Sequence, residues 1–161
     1  MSMLGNYMRL KREQLEEALE NPDILPDLLF SEENGDNTLY IDKSWHGIHF
    51  LLTGTPWEGD PPLSYVILGG QSLGDQDLGY GPPKYITPEQ VKEAYWVLSM
   101  LSFDELRKSY NPDRFSEAGA YPNVWDEEGE ELDYLLSYLN EIITFFKLAS
   151  ENGEAIIFWV E

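Results

Sequence analysis

Two histidines and one aspartate carry the residue types that acid–base catalysis or metal binding would need. His46 and His49 are three residues apart, so on a helix their rings would point in roughly the same direction. Asp42 lies four residues before His46, within reach of a ring N–H. Most such sites need a third convergent group, and the sequence has neither a third histidine nor a His-Glu-x-x-His motif. The favoured interpretation is two partly buried rings satisfied by backbone or carboxylate groups, with metal binding and catalysis as alternatives.

The elements that would position these residues lie between residues 39 and 54. Residues 39–41 form a short apolar run typical of a strand. Asp42 or Ser44 can cap a following helix, because a short oxygen side chain accepts from its first free N–H groups. Apolar spacing at i, i+3, i+4 and i+7 places on one helical face Trp45, Ile48, His49 and Leu52. Gly54 is a typical C-terminal stop, so the sequence predicts a helix from about 45 to 53 that is buried on most sides.

A second set of candidates is aromatic and would line a small-molecule pocket. Such pockets are mostly apolar, with a few polar groups that orient the ligand. The aromatic or imidazole candidates are Trp45, His49, Tyr80, Tyr85, Tyr121 and Trp125. Lys43 or His46 would supply the polar contacts. The hypothesis predicts a concave pocket where the loop 69–85 meets the helix 44–53, whereas the alternative places each of these rings in the core.

The glycine-rich loop 69–83 contains two partial ligand motifs, and both fail. Gly74 and Gly79 have the spacing of the first two glycines of a P-loop, but Tyr80 stands where the lysine should be. An Asp-x-Asp-x-Gly run in the same loop resembles the start of a calcium-binding EF-hand, but Ile86 occupies the position of the closing glutamate. The loop therefore predicts neither a phosphate site nor a calcium site.

Composition limits the classes of function. The chain has 161 residues, which fits one domain with a substantial core. Ten basic and thirty acidic residues give a net charge of −20, which argues against nucleic acid and anionic membranes but suits a basic protein partner. The absence of cysteine excludes disulfides and thiol catalysis. No apolar run approaches the ~20 residues of a membrane span, and the N-terminus does not resemble a signal peptide, so a cytoplasmic location is expected.

The remaining patterns predict an α+β fold, with a small mixed or antiparallel sheet packed against about five to six helices in a single domain spanning 1–161. Strands are expected at 2–10, 39–41, 84–86 and 155–160, with 63–68 as a strand or a buried helical turn. The first and last strands could pair. Helices are expected at 11–20, 22–30, 45–53, 88–101, 103–110 and 132–149, with a further turn near 114–118. The acidic run 126–133 suits the N-terminal end of the last helix better than a metal site.

Several of these segments, in this order, resemble the YfbM-like family of bacterial proteins of unknown function. The matching segments are MSMLGNYMRL, LYIDKSWHGIHFLLTG, LSYVILGG, YGPPKYITPEQV and AYPNVW, followed by an apolar final helix. The most specific pieces are the Asp42-Lys43-x-Trp45-His46 run with His49, and Tyr80-Gly81-Pro82 before Tyr85. The resemblance implies a compact, single-domain α+β protein of the cytosol, and it brings no catalytic assignment.

Three hypotheses of function follow, in order of preference. The first is an interaction protein, of an inhibitor or immunity type, whose acidic surface binds a basic partner and whose carboxylates lie on one face. The second is the small-molecule binder with the aromatic pocket. The third is an enzyme using His46 and His49 with Asp42 or a distant carboxylate, which requires an imidazole that faces solvent in a cleft. No cofactor and no metal are expected.

Overall fold

An antiparallel sheet of five strands organises the chain, in a computed structural model that describes residues 2–75, 77, 78 and 80–161. The strand order is β2-β1-β5-β4-β3, and each neighbouring pair is antiparallel. The strands are β1 (Gly5–Leu10), β2 (Thr38–Tyr40), β3 (Gln71–Ser72), β4 (Lys84–Ile86) and β5 (Ala155–Val160).

The last strand lies in the middle of the sheet. β5 pairs with β1 over six residue pairs, from Gly5 opposite Val160 to Leu10 opposite Ala155. All six residues of β5 are buried, as its β-branched and aromatic composition suggests. The expected pairing of the first and last strands is therefore confirmed.

Seven α-helices among the described residues cover both faces of this sheet, which confirms the α+β class. They are α1 (Arg12–Glu20), α2 (Leu25–Leu29), α3 (Trp45–Thr53), α4 (Pro88–Leu98), α5 (Phe103–Ser109), α6 (Pro112–Glu117) and α7 (Glu130–Glu151). The larger core packs α3, α4 and α7 against one face of the sheet, whereas α1 and α2 cover a smaller core on the other face. Side chains alternate along β5 accordingly, with Phe158 in the larger core and Ile157 in the smaller one.

The functional candidates lie around α3 and the start of α7. α3 has the predicted bounds and is buried along most of its length. Ser44 is the residue before it, but its hydroxyl donates to the carbonyl of Ile41 at 2.6 Å instead of capping the helix. α7 begins at Glu130 after Gly129, which has a φ of 83°. The acidic residues 126–128 therefore precede the helix, while the rest of the acidic run forms its first turn.

The middle of the chain resolves an alternative that the sequence left open. Residues 63–68 contain a 3₁₀ helix, Leu63–Val66, which is the helical turn and not the strand. The segment turns sharply, because the N–H of Gly69 donates to the carbonyl of Ser64 at 2.7 Å. A Cβ at position 69 would lie 2.4 Å from that oxygen, so the turn requires glycine. The edge strand β3 comes from the glycine-rich loop, in which Gly79 lies outside the described residues.

Candidate functional site

Both histidines are buried, and each is hydrogen-bonded to the backbone of a loop. His46 is 1% exposed, and its Nε2–H donates to the carbonyl of Pro56 at 2.8 Å. Its Nδ1 accepts from the backbone N–H of Tyr121 at 2.8 Å. Because the N–H of Tyr121 can only donate, Nδ1 carries no proton, and His46 is neutral with its proton on Nε2. Both ring nitrogens are therefore occupied.

Within the part of the chain that the structure describes, His49, about one helical turn later, is hydrogen-bonded through Nε2 alone. It is 1% exposed, and its Nε2–H donates to the carbonyl of Glu58 at 2.7 Å. Its Nδ1 is buried and has no hydrogen-bond partner among the described residues. Burial lowers the pKa of both rings, while the bonds to the carbonyls of Pro56 and Glu58 partly oppose that shift. Both imidazoles are thus held in the neutral form.

This geometry gives the histidines a structural role. The predicted bond between Asp42 and His46 is wrong, because the Asp42 carboxylate accepts from the hydroxyls of Tyr40 and Tyr134 instead, at 3.1 and 2.8 Å. Neither imidazole faces solvent, as a general acid or base in a cleft would have to. The enzyme hypothesis built on His46 and His49 therefore has no support in this conformation.

The two histidines hold the loop 55–58 in place. The carbonyls that accept from them belong to Pro56 and Glu58, the residues on either side of Trp57. The indole of Trp57 lies on the imidazole of His46, with 4.3 Å between ring centroids and 31° between ring planes. Trp57 is nevertheless 63% exposed. The exposed ring of Trp57 is thus held in place, because the carbonyls of both neighbouring residues are hydrogen-bonded to the histidines.

Trp57 forms one wall of a cleft of about 320 Å³, named here the aromatic cleft. The cleft lies where α3 meets the loop that leads into β4, as the small-molecule hypothesis predicts. Among the residues that the structure describes, seven line it, and they are Met3, Trp45, Trp57, Leu68, Tyr80, Lys84 and Val160. Trp45 and Val160 are nearly buried and form its inner part, while Tyr80 is 42% exposed at the rim.

The N-terminal segment is fixed against the inner part of the aromatic cleft. The indole N–H of Trp45 donates to the carbonyl of Met3 at 2.9 Å, and the N–H of Met3 donates to the hydroxyl of Tyr121 at 3.0 Å. The rings of Trp45 and Tyr121 stack with a centroid distance of 5.9 Å. These contacts hold Met3 in place, and each of the four polar groups involved has a hydrogen-bond partner.

A second depression, named here the acidic cleft, lies beside the segment that leads into α3 and the first turn of α7, and has a volume of about 410 Å³. Its lining residues are Asp42, Lys43, Pro122, Val124, Glu130, Glu131 and Tyr134. The hydroxyl of Tyr134 donates to Asp42 and accepts from the backbone N–H of Lys43 at 3.1 Å. Burial, together with the bond to the Asp42 carboxylate, raises the pKa of Tyr134 well above its usual range.

The nine candidates named from the sequence are therefore divided among five places. Trp45 and Tyr80 line the aromatic cleft, Asp42 and Lys43 line the acidic cleft, and the two histidines lie between α3 and the loop they anchor. Tyr85 packs against the smaller core, on the opposite face of the sheet. Tyr121 and Trp125 pack against the larger core, and the indole N–H of Trp125 donates to the carbonyl of Ala120 at 2.8 Å.

Five residues that line the aromatic cleft are missing from the candidates named from the sequence, and they are Met3, Trp57, Leu68, Lys84 and Val160. Trp57 is the one tryptophan in a Pro/Gly-rich loop, which is a signal for a functional aromatic but equally for a ring that folds onto the core. Lys84 gives no signal in the sequence, because its direction depends on the register of β4 against β5.

The described residues contain neither a candidate metal site nor a helix that could span a membrane. No group of three or more histidine, aspartate or glutamate side chains in these ranges is placed to hold a metal ion. None of the helices they form is long and apolar enough to cross a membrane.

Comparison with known proteins identifies a family that is described as having an unknown function. A family model described as a domain of unknown function, DUF1877, matches residues 1–159. The chain is 29% identical over 161 residues to protein YfbM of Escherichia coli (strain K12), with 95% of each protein covered. The crystal structure of YfbM from Escherichia coli, a protein of unknown function, matches with a TM-score of 0.77 and 27% identity, over 98% of this chain and 99% of that one. The predicted resemblance is confirmed, and the protein belongs to the DUF1877 family.

Proposed function

We propose that the protein binds a small molecule in the aromatic cleft. The observation that carries this proposal is the exposure of Trp57, whose neighbours on both sides are hydrogen-bonded to buried histidines. A ring fixed before the ligand arrives loses little conformational freedom on binding. This preorganisation would also explain why α3 buries two imidazoles at positions where apolar side chains would pack without unpaired polar atoms.

The dimensions and the lining of the aromatic cleft support the same proposal. Its volume of about 320 Å³ lies within the range of about 300–1,000 Å³ that is usual for ligand sites. The lining is mainly aromatic and aliphatic, with a single charged group, Lys84. Apolar surface with few polar groups is the usual composition of such sites. The wall residues come from segments far apart in the chain, so the cleft exists only in the folded protein.

A thermal-shift screen against small aromatic and aliphatic metabolites tests this proposal. A compound present at 100 times its Kd should add about 2.7 kcal/mol to the free energy of unfolding, which raises the Tm measurably. We expect Trp57→Ala to abolish the shift, because it removes one wall of the cleft. Trp96→Ala is the matched control, since Trp96 is 67% exposed on α4 and does not line the cleft. Compounds that stabilise wild type and Trp57→Ala equally would place their site elsewhere and contradict the proposal.

The acidic cleft supports a second candidate function, the binding of a basic protein partner of the inhibitor or immunity type. Three carboxylates and one lysine line it, beside the exposed side chain of Val124. A hydrogen bond from its own backbone N–H lowers the pKa of the Glu131 carboxyl group. Burial and the neighbouring Asp126 carboxylate raise that pKa by more, so the net shift is upward. A cationic group from a partner would relieve this crowding of negative charge.

This second candidate ranks below the first because the acidic residues are not confined to one face. α1 carries four glutamates over the smaller core, and α7 carries Glu130, Glu131 and Asp133 on the opposite side of the sheet. The interaction hypothesis expects the carboxylates to be segregated on the binding face. A charge spread over both sides suits solubility as well as binding.

Binding of a lysine-rich peptide at several salt concentrations tests the second candidate. We expect Glu130→Gln/Glu131→Gln to weaken binding and to reduce its salt dependence, because two carboxylates of the acidic cleft are lost. Glu16→Gln/Glu17→Gln on α1 is the control, with the same change in net charge at exposed positions outside the cleft. An equal loss in both double variants would indicate nonspecific attraction to a chain of charge −20 and would exclude a defined site.

A further inference from the structure

The charged group of the aromatic cleft reaches it from the sheet. Lys84 lies directly opposite Phe158 in the pairing of β4 with β5. Residues opposite each other in an antiparallel pair point to the same face, so Lys84 points to the face that carries Phe158 and Val160. A shift of the register by one residue would move Lys84 to the smaller core and bring Tyr85 to the cleft.

The ammonium group of Lys84 retains unused hydrogen-bonding capacity. Its Nζ donates to the hydroxyl of Ser72 in β3 at 3.1 Å. A lysine ammonium has three N–H donors, and the bond to Ser72 uses one of them. Within the described parts of the chain, Nζ forms no ion pair with a carboxylate, although acidic residues outnumber basic ones thirty to ten. A cation without a carboxylate partner is therefore held at the edge of an aromatic surface.

We infer that the ligand of the aromatic cleft is a planar aromatic carboxylate of one or two rings, an inference that rests on the proposed function. Trp57 and Tyr80 offer exposed ring surface for stacking, and the free donors of Lys84 match the two oxygens of a carboxylate. A phosphate dianion fits less well, because one lysine would balance only half of its charge in a protein that is strongly negative.

Titration with indole-3-acetate and indole-3-acetamide tests this inference, because the two probes differ in charge and hardly in shape. Binding is followed by the NMR signals of the tryptophan indole N–H groups. We expect the acid to bind wild type about tenfold more tightly than the amide, as a charge-assisted hydrogen bond would give. Lys84→Met should remove this preference by weakening the binding of the acid far more than that of the amide, since it keeps an apolar stem of similar length but loses the charge. Lys92→Met, an exposed lysine on α4, should preserve the preference.

The outcomes distinguish a failure of this inference from a failure of the proposed small-molecule site. Equal affinities of wild type for acid and amide, with both lost in Trp57→Ala, would overturn the carboxylate and leave the small-molecule site standing. A preference for the acid that persists in Lys84→Met would overturn the role of Lys84. Absence of binding by both probes would overturn the ligand class, and the metabolite screen with Trp57→Ala would then decide the proposed function on its own.

Discussion

The backbone N–H of Tyr121 donates to Nδ1 of His46 at 2.8 Å, across 75 positions of the sequence. This bond fixes the tautomer of the ring, which then presents its Nε2–H to the carbonyl of Pro56. One imidazole thus connects the loop that contains Pro56 to the loop that contains Tyr121, although the two lie far apart in the sequence. Protonation of Nδ1 would set two N–H donors against each other, so the contact exists only while His46 is neutral.

The first prediction concerns the titration of the two histidines. Both should have pKa values below the ordinary value of 6.5, because burial disfavours the charged ring. With two histidines in the chain, their ring signals can be followed separately by NMR as pH falls, and nitrogen shifts at neutral pH should identify the Nε2–H tautomer in both. A pKa above 6.5 for His46 would contradict the bond from Tyr121.

The same shifts give a pH dependence of stability. Because the folded-state pKa values are lowered, the unfolded chain binds more protons than the folded one below pH 6.5. The stabilisation is therefore complete above pH 6.5 and is lost as pH falls through the folded-state pKa values. Denaturant unfolding of wild type and His46→Gln between pH 8 and pH 5 measures this effect, and the variant should show the smaller slope. Equal slopes would mean that His46 is not the responding group.

The second prediction concerns the contact between α3 and Trp125. A Cβ at Gly47 would lie 2.5 Å from Cη2 of Trp125 and 2.9 Å from a methyl group of Leu135. Gly47→Ala should therefore destabilise the protein by about 1–3 kcal/mol, although alanine ordinarily favours a helix over glycine. Gly35→Ala is the control, because no atom lies within 4 Å of its added Cβ. Denaturant midpoints measure both changes, and a stabilised Gly47→Ala would show that Trp125 moves aside freely.

The third prediction compares two ion pairs of different burial. The side chains of Arg9 and Glu154 are 14% and 10% exposed and lie 2.8 Å apart, whereas those of Arg107 and Asp133 are 50% and 64% exposed. Glu154→Gln should cost about 3 kcal/mol, because it leaves a guanidinium largely buried without its counter-charge. Asp133→Asn should cost less than about 1 kcal/mol. Urea unfolding of both variants gives the comparison, and similar losses would contradict the assigned role of burial.

The fourth prediction concerns Asp42, whose backbone has a φ of 52° and whose carboxylate accepts from two tyrosine hydroxyls. Asp42→Ala loses both hydrogen bonds and disfavours the left-handed backbone, so we expect a loss of about 2–3 kcal/mol. Asp42→Asn tolerates that backbone and keeps one acceptor oxygen, so its loss should be clearly smaller. Thermal unfolding measures the difference. Equal losses would show that the carboxylate charge, and not the backbone conformation, dominates.

Local patterns were sufficient for the elements that bury a regular face. The 3.6-residue spacing and the caps located α3, α4 and α7, although α4 ends at Leu98, before the predicted 101. The capping box of Thr87 and Gln90 forms as its sequence suggests. β3 has two exposed residues and therefore no alternating pattern to recognise. It is a strand because β4 lies beside it.

The clefts were harder to predict than the helices, because they depend on contacts between distant segments. The spacing of Asp42 and His46 suggested a bond between them, but the carboxylate accepts a hydrogen bond from Tyr134, 92 residues further along the chain. Trp57 becomes a cleft wall through bonds made by the two residues beside it. Lys84 enters the same cleft through its register with β5. None of these relationships has a signature within a short window of sequence.

The central position of β5 has a consequence for how the protein is made. Ribosomes synthesise β1, β2, β3 and β4 first, and no strand can join the pair β1 and β2 to the pair β3 and β4 until residues 155–160 emerge. Nearly the whole chain must therefore leave the exit tunnel with unpaired strand edges before the sheet can close. Such late closure favours slow folding and exposure to chaperones, since the pairing of β1 with β5 joins parts of the chain about 150 residues apart. The many carboxylates in the segments synthesised before β5 would help to keep the incompletely folded chain soluble.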